Sequence, residues 1–378
     1  MKGANIYMEI IGVIAEYNPF HNGHLYQLNK IKEMYPDSII ILVLNGYFLE
    51  RGIISLETKE EKTRLALKYG VNLVIELPFI FGSNSADIFA EASLELLNAL
   101  KISKLIFGSE SNDINTLKSS ASKQLKNDFD DKVKRYMDLG VNYPTALNKA
   151  TGIDINKPND LLGVSYIKTI LKHDYKIEVE TIKRTNDFHD LESNERIISA
   201  SNIREKLKNN TDVKKYIPEG NLVSVNEDLF FNLLKYKIIT SVNLDEYLSV
   251  DEGLDSRLKK VISKSSNLDE LIQNVKTKRY TYNRIMRMFI HILIGVKKRD
   301  KESILKNEYI RILGLDPSGQ KYINSIKKEL SLPLVSKFTG VSSKIKDYEL
   351  KASEIYKILT NTDVMQFEYQ NKPIIKEK

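Results

Sequence analysis

The chain of 378 residues contains no cysteine and only five histidines. The lack of cysteine excludes disulfide frameworks, thiolate zinc sites, iron–sulfur clusters and cysteine nucleophiles. No stretch approaches the roughly 18 apolar residues that a membrane span requires, so we expect no membrane partner. Hydrophobic residues make up 42% and charged residues 28% of the chain, as in ordinary globular proteins. We therefore expect a folded cytoplasmic protein in which imidazole chemistry depends on very few side chains.

Basic residues outnumber acidic ones, with 57 Lys and Arg against 50 Asp and Glu. The net charge is +7 and the pI is about 9.0, a balance that favours polyanionic partners. At roughly 150 residues per domain, the length indicates two or three domains with ample cores.

Short apolar runs alternate with segments of helical periodicity over approximately the first 210 residues. This alternation is typical of parallel β-α-β units, so we predict an α/β fold with a parallel sheet. In such open sheets the ligand crevice lies at the carboxyl ends of the strands. The predicted strands are Ile10–Ala15, Ser38–Leu44, Leu73–Leu77, Lys104–Phe107 and Glu178–Lys183.

Turn residues divide the chain at two places. Ile217–Asn221 contains the Pro and Gly of a linker, and helical patterns prevail after it. Gly314–Gly319 suggests a second break, which precedes a helix, a short strand and a helix. We predict an α/β domain over residues 1–216, a helical basic domain over 217–312 and a C-terminal α/β subdomain over 313–378.

A pair of histidines lies between the first predicted strand and the first predicted helix, in the segment Ile14–His24. A helix amino terminus presents unpaired N–H groups and a partial positive charge, which suit phosphate. Gly23 lets the backbone approach a ligand closely, and His21 and His24 can donate to the same phosphate oxygens. The pair therefore predicts a site that neutralises charge developing during in-line attack on phosphorus. For each histidine alone, a surface or cap role is the alternative.

This H-x-G-H pattern resembles the nucleotidyltransferase superfamily, whose members bind ATP at this turn and release pyrophosphate. The wider sequence resembles the bacterial tRNA(Met) cytidine acetate ligase family over most of the chain, from about Glu9 to Leu332. The segments that carry the resemblance, in consistent order, are Glu16–His24, Asn45–Gly52, Ile75–Phe79, Ser85–Ala90, Phe107–Glu110, Pro158–Gly163, Lys183–Arg184, Ser199–Arg204 and Lys278–Tyr282.

The resemblance implies a Rossmann-like nucleotidyltransferase domain followed by a mainly helical RNA-binding region. It implies an enzyme that activates acetate with ATP to acetyl-adenylate and then acetylates the exocyclic amine of the wobble cytidine of elongator tRNA(Met). The ATP-binding residues that it implies are Ile14, Ala15, Glu16, Tyr17, Asn18, Pro19, Phe20, His21, Asn22, Gly23, His24, Leu25, Tyr26, Gln27, Gly108, Asn159 and Arg184. Physically, Arg184 at a strand end can pair with phosphate. The structural alternatives are a turn glycine for Gly108, a helix N-cap for Asn159 and a surface salt bridge for Arg184.

Ser201 and Arg204 complete the predicted catalytic set with the two histidines. In the segment Ser199–Arg204, which opens a predicted helix, Ser201 can cap and donate to a phosphate while Arg204 closes over pyrophosphate. The superfamily usually has Ser-Thr here, so Ala200 is a departure, and a plain helix cap is the alternative.

The second strand-to-helix loop departs from the family pattern at Glu50, where the family has Gln, and at Ile54, where it has Pro. Arg51 and Lys59 belong to the same predicted loop, either as functional cations or as a solvated basic pair.

The segment from Leu271 to Arg299 contains Lys and Arg but no Asp or Glu. Its uniformly positive charge suits binding to a phosphate backbone. On a helix from Tyr282, the side chains of Arg284, Arg287 and His291 share one face, which we expect to be free for a partner and away from the nucleotide phosphates. Tyrosine rings beside it can stack on unpaired bases. The predicted RNA-binding residues are Lys278, Arg279, Tyr280, Tyr282, Arg284 and Arg287, and a solvated helix face is the alternative.

No carboxylate cluster in these motifs resembles a metal cage, so we predict no protein metal site and Mg²⁺ bound through the ATP phosphates. The expected partners are ATP, acetate and elongator tRNA(Met). Two other classes remain open. A small-molecule nucleotidyltransferase or acid–amine ligase of the same superfamily would not need the basic second domain, and an RNA-binding protein would carry a vestigial nucleotide site.

Overall fold

The computed structural model describes residues 8–185, 195–251, 253–277, 280–369 and 372–376. The strands are β1 (Ile10–Ala15), β2 (Ile39–Asn45), β3 (Leu73–Leu77), β4 (Lys104–Ser109), β5 (Glu178–Lys183), β6 (Ile310–Leu315), β7 (Leu334–Val335) and β8 (Ile374–Ile375). The helices are α1 (Asn22–Met34), α2 (Lys59–Lys68), α3 (Phe79–Gly82), α4 (Ala86–Ala99), α5 (Ile114–Gln124), α6 (Phe129–Asp138), α7 (Tyr143–Thr151), α8 (Pro158–His173), α9 (Ala200–Lys208), α10 (Glu227–Thr240), α11 (Leu254–Ile262), α12 (Leu268–Val275), α13 (Tyr282–Ile294), α14 (Pro317–Ile326), α15 (Lys344–Thr360) and α16 (Met365–Tyr369).

A mostly parallel sheet forms the centre of the fold, with strand order β5-β4-β1-β2-β3-β6-β7. Strands β1 to β5 are parallel, as the sequence predicts. Strands β2 and β3 are buried along their whole length because helices cover both faces, which explains their near-continuous apolar sequence. Within the described residues no helix is both long and apolar enough to span a bilayer.

The C-terminal part of the chain completes this sheet. Strand β6 pairs antiparallel with β3, and β8 pairs with β6. Gly314 and Leu315, placed by the sequence in a domain break, are the last residues of β6. The division of the chain at residues 216 and 312 stays a prediction. The pairing shows that residues on both sides of the second boundary belong to one sheet.

A cluster of buried charges ties this C-terminal part to α2. The Lys59 ammonium lies 2.6 Å from Glu76 Oε1, 2.9 Å from Glu349 Oε1 and 2.6 Å from Glu368 Oε1. Arg311 on β6 pairs with Glu76 and Glu368. Lys59 begins α2 and is fully buried, so its interpretation as half of a solvated basic pair is wrong. Burial among carboxylates raises the pKa of Glu349 to about 7.

Replacing Lys59 by Met should lower the free energy of unfolding by about 3–5 kcal/mol, because buried carboxylates lose their cation. Lys68→Met is the matched control on the same helix, since Lys68 is half-exposed and pairs with Glu219 at the surface. Its cost should stay below about 1 kcal/mol in urea unfolding. Equal losses in the two variants would contradict the structural role of the cluster.

Candidate active site

A cavity of about 850 Å³ opens at the carboxyl ends of the parallel strands. Ile14 and Ala15 end β1 there, and Gly108 lies near the end of β4. This is the edge at which an open parallel sheet binds its ligands. The cavity is lined by these sequence-predicted residues: Ile14, Ala15, Glu16, Tyr17, Asn18, His21, His24, Gln27, Gly108, Asn159, Arg184, Arg204, Arg284 and Arg287.

Other residues of the predicted ATP segment serve the turn and lie outside the cavity wall. Phe20 is fully buried and stacks on Tyr69. The amide of Asn22 donates to the carbonyls of Arg196 and Lys215. The rest pack in the core or form the backbone of the turn, namely Pro19, Gly23, Leu25 and Tyr26.

The two histidines form a reciprocal cap at the start of α1. His21 Nδ1 accepts a hydrogen bond from Gly23 N at 2.9 Å, and His24 Nδ1 accepts one from His21 N at 3.2 Å. Because each Nδ1 is an acceptor, the hydrogen-bond pattern assigns the ring proton to Nε2 in both neutral imidazoles. A Cβ on Gly23 would lie 2.7 Å from the His21 ring. Glycine is therefore required here by the capping ring.

Both imidazoles are neutral at physiological pH. Burial, together with the charges of Arg184 and Arg204, lowers the pKa of His21 to about 3. Burial also holds the pKa of His24 well below its usual value, with His21 and Arg184 as further causes. Two neutral Nε2–H donors thus lie beside two guanidinium groups on one cavity wall. Such an arrangement can bind phosphate oxygens and stabilise negative charge on them.

The segment from Ser55 to Lys62 holds the histidine turn in place. Phe20 N donates to Glu57 Oε2 at 2.8 Å, and Leu56 N donates to Asn18 Oδ1 at 2.8 Å. Lys62 Nζ donates to the carbonyls of Glu16, Asn45 and Gly46 at 2.9, 2.8 and 2.7 Å. Sequence reasoning missed Glu57 and Lys62, because nothing in their spacing distinguishes them from surface charges.

Arg204 reaches the same turn from α9. Its Nη1 donates to the carbonyl of Asn18 at 2.8 Å, and its Nη2 donates to Ser201 Oγ at 3.0 Å. The N-cap of α9 is Ser199, which accepts from Asn202 N, so the prediction that Ser201 caps the helix is wrong. In the structure, the Ser201 hydroxyl orients the guanidinium of Arg204.

Glu110 links two of the predicted ATP residues, and sequence reasoning gave it no role. Asn159 Nδ2 donates to Glu110 Oε1 at 2.6 Å, and Arg184 Nε lies 3.9 Å from the same oxygen. Lys157 is the N-cap of α8, so Asn159 is not a cap. A Cβ on Gly108 would make an ordinary contact of 3.4 Å with Arg184, so the fold alone does not require glycine there.

The helical region contributes to the cavity, which corrects the expected separation of α13 from the nucleotide site. Arg284 and Arg287 line the same cavity as the histidines. Arg287 Nη1 donates to the Glu50 carbonyl at 2.8 Å and to Glu50 Oε1 at 3.1 Å. His291 is buried and contacts Ser83 and Ser249. The prediction of a free basic face is therefore wrong for Arg287 and His291.

The predicted stacking tyrosines have different surroundings. Tyr280 is 6% exposed, and the guanidinium carbon of Arg284 lies 4.5 Å from its ring centroid. Its ring is therefore not accessible to a base, contrary to the prediction, whereas Tyr282 is 44% exposed. Lys278 and Arg279 lie outside the described residues.

The departures at Glu50 and Ile54 leave an ordered loop. Glu50 N donates to Glu16 Oε1 at 2.7 Å, and Ile54 forms a β-bridge with Phe48. Among the described residues, no group of three or more His, Asp or Glu side chains could hold a metal ion.

Comparison with known proteins identifies the class to which this arrangement belongs. A profile of the HIGH Nucleotidyl Transferase family matches residues 8–372. The tRNA(Met) cytidine acetate ligase of Bacillus subtilis (strain 168) is 36% identical over 93% of this chain and 92% of that protein. The enzyme of the same name from Caldicellulosiruptor saccharolyticus is 35% identical over 97% of this chain and 98% of its own.

Solved structures agree with the sequence relatives. The crystal structure of Thermotoga maritima TmcAL without ligand superposes with a TM-score of 0.87 at 26% identity, covering 98% of this chain and 100% of that one. The same protein bound with alpha-thio ATP superposes with a TM-score of 0.85 over the same shares. The chain therefore belongs to the HIGH nucleotidyltransferase family and, within it, to the tRNA(Met) cytidine acetate ligases.

Proposed function

We propose that the chain activates acetate with ATP, forming acetyl-adenylate and pyrophosphate. It then transfers the acetyl group to the exocyclic amine of the wobble cytidine of elongator tRNA(Met), forming N-acetylcytidine. The observation that carries this proposal is the pair of neutral Nε2–H imidazoles, His21 and His24, beside Arg184 and Arg204 on one cavity wall. The names of the relatives and the alpha-thio ATP complex of the Thermotoga maritima protein support it. We also propose that the reaction takes place in the cytoplasm, where its proposed tRNA substrate is found.

In the first step an acetate oxygen attacks the α-phosphorus of ATP, and the bond to pyrophosphate breaks. His21 and His24 donate to phosphate oxygens on which charge develops, and a neutral donor does this without giving up its proton. Arg184 and Arg204 supply full positive charge beside them. Because Arg204 is held to the Asn18 carbonyl, its guanidinium is positioned before substrate binds.

In the second step the cytidine amine attacks the acetyl carbon, the C–O bond to AMP breaks, and the amine loses one proton. AMP and acetylated tRNA are the products. We propose that Mg²⁺ enters with the ATP phosphates, whose charge it neutralises, because Mg²⁺ is commonly held by substrate phosphates and water.

The proposed function is tested by incubating the protein with labelled acetate, ATP, Mg²⁺ and tRNA, and by mass spectrometry of the tRNA nucleosides. We expect acetate-dependent pyrophosphate release and labelled N-acetylcytidine at the wobble position of elongator tRNA(Met). Pyrophosphate release with acetate but without labelled tRNA would favour a small-molecule ligase instead. Failure to release pyrophosphate with any acid would exclude an adenylating enzyme.

Removing either imidazole should greatly lower the rate of the activation step. We expect His21→Ala and His24→Ala to lower acetate-dependent pyrophosphate release by about 10²- to 10³-fold, the usual cost of one lost oxyanion donor. His21→Asn keeps an acceptor for Gly23 N but lacks the Nε2–H donor, so it separates the donor role from the helix cap. His173→Ala, which removes a histidine paired with Glu91 outside the cavity, is the control. Rates within about threefold of the parent in both alanine variants would refute the assignment.

The Glu50–Arg287 pair should matter for both half-reactions, because it joins α13 to the loop beside the histidine turn. Arg287→Glu brings two carboxylates together, and we expect pyrophosphate release and tRNA acetylation both to fall by at least about tenfold. The charge swap Glu50→Arg with Arg287→Glu should recover part of that loss. A pyrophosphate rate unchanged in the single variant, with transfer alone reduced, would instead show a role confined to tRNA.

A further inference from the structure

The connection between β4 and β5 is longer than a parallel crossover requires. One helix is sufficient to return the chain to a neighbouring parallel strand, and α8 does so here. The chain inserts α5, α6 and α7 before it, and α6 and α7 share a small core of Phe129, Val133 and Ala146. The insertion leaves Leu125, Leu139 and Tyr143 exposed, although all three are large apolar side chains.

This insertion forms one wall of the catalytic cavity. Tyr143, Pro144 and Leu147 of α7 line the same cavity as His21 and His24. At about 850 Å³ the cavity is near the upper end of the approximately 300–1,000 Å³ of small-molecule pockets, so it has room for more than one substrate.

Exposure distinguishes Tyr143 from the other tyrosines of the cavity wall. Tyr17 is 2% exposed and Tyr166 is 3% exposed, whereas Tyr143 is 46% exposed. Tyr282 is exposed to a similar extent but does not line the cavity. Of the tyrosines that line the cavity in the described part of the chain, Tyr143 alone is therefore close to half exposed.

The charge of the cavity suits a nucleic acid. Five arginines line it, against the carboxylates of Glu16, Glu50 and Asp87, so cations are in excess. The arginines are Arg51, Arg184, Arg204, Arg284 and Arg287. A partly exposed aromatic ring in the wall of a cationic cavity is a usual combination for binding an unpaired base with its phosphates.

We propose that Tyr143 stacks on the target cytosine base of the tRNA and so holds its exocyclic amine beside the activated acetyl group. Pro144 and Leu147 form the apolar edge of this base pocket. The inference rests on the proposed function. It assigns base binding to α7, whereas the sequence predicted base stacking by the tyrosines of the α13 region. A base that is to be acetylated must leave its neighbours in the anticodon loop, and an aromatic surface compensates for the lost stacking.

The test compares Tyr143→Ala, Tyr143→Phe, Tyr282→Ala and Tyr236→Ala in two assays. Tyr236 is an exposed tyrosine on α10 outside the cavity, and it serves as the matched control. The first assay measures acetate-dependent pyrophosphate release without tRNA, including the KM for ATP. The second measures transfer of labelled acetyl to tRNA at limiting tRNA concentration.

We expect Tyr143→Ala to lower kcat/KM for tRNA by about 5- to 150-fold, the effect of losing one base–aromatic stack. Tyr143→Phe keeps the ring and should transfer at a rate close to that of the parent. Tyr236→Ala should match the parent in both assays. Normal pyrophosphate release by Tyr143→Ala would show that the variant folds and adenylates acetate.

Three results would overturn the inference. Transfer by Tyr143→Ala at the parent rate would show that the ring does not hold the base. If Tyr143→Ala raises the KM for ATP and lowers transfer only as much as pyrophosphate release, the ring packs against the nucleotide instead. Loss of transfer in Tyr282→Ala but not in Tyr143→Ala would return the base site to α13. A parent enzyme that releases pyrophosphate but never labels tRNA would refute the proposed function itself.

Discussion

The ammonium group of Lys62 joins the carboxyl ends of β1 and β2, and the shape of the cavity at this sheet edge depends on this contact. It donates to three backbone carbonyls, those of Glu16, Asn45 and Gly46. Burial lowers the pKa of Lys62 and raises that of its neighbour Glu57, because it disfavours the charged form of each side chain. The hydrogen bonds to each group and the opposite charge of its neighbour offset this cost. Glu57 in turn holds Phe20 N, which fixes the turn that carries both histidines.

Three parts of the chain converge on this cavity. The sheet edge supplies the histidines and Gly108, α9 supplies Arg204, and α13 supplies Arg287 through its pair with Glu50. A close fit supports the last contact, since a Cβ on Gly52 would lie 2.6 Å from Arg287 N. Because α13 is packed this tightly on the loop after β2, its arginines and the histidine turn line one connected space, in which we propose that both steps take place.

The parallel strands could be predicted from the sequence, because a buried parallel strand is a short apolar run. The N-cap of α1 is His21, and the sequence does not reveal that the helix begins at Asn22, because imidazoles are not among the usual N-cap residues. The roles of Lys59 and Lys62 were not predictable, because lysine is almost always exposed and only the folded neighbours show which carboxylates surround it.

The residues of the candidate site likewise differ in whether the local sequence is sufficient to predict them. The local motif was sufficient to predict His21 and His24, because a strand-to-helix turn brings them together without help from the rest of the chain. Helical periodicity placed Arg284 and Arg287 on one face correctly, but periodicity does not tell what covers a face. Tyr143 lies in no motif that spacing could detect, and only the tertiary fold brings it to the cavity.

The most direct test of the account follows one acetyl group through both steps. The protein is loaded with labelled acetate and ATP, freed of unbound substrates, and mixed with elongator tRNA(Met) and excess unlabelled acetate and ATP. If one cavity serves activation and transfer, the label appears in the wobble cytidine during the first turnover, despite the unlabelled excess. Label recovered only as free acetate, with tRNA acetylated from the unlabelled pool or not at all, would contradict the account.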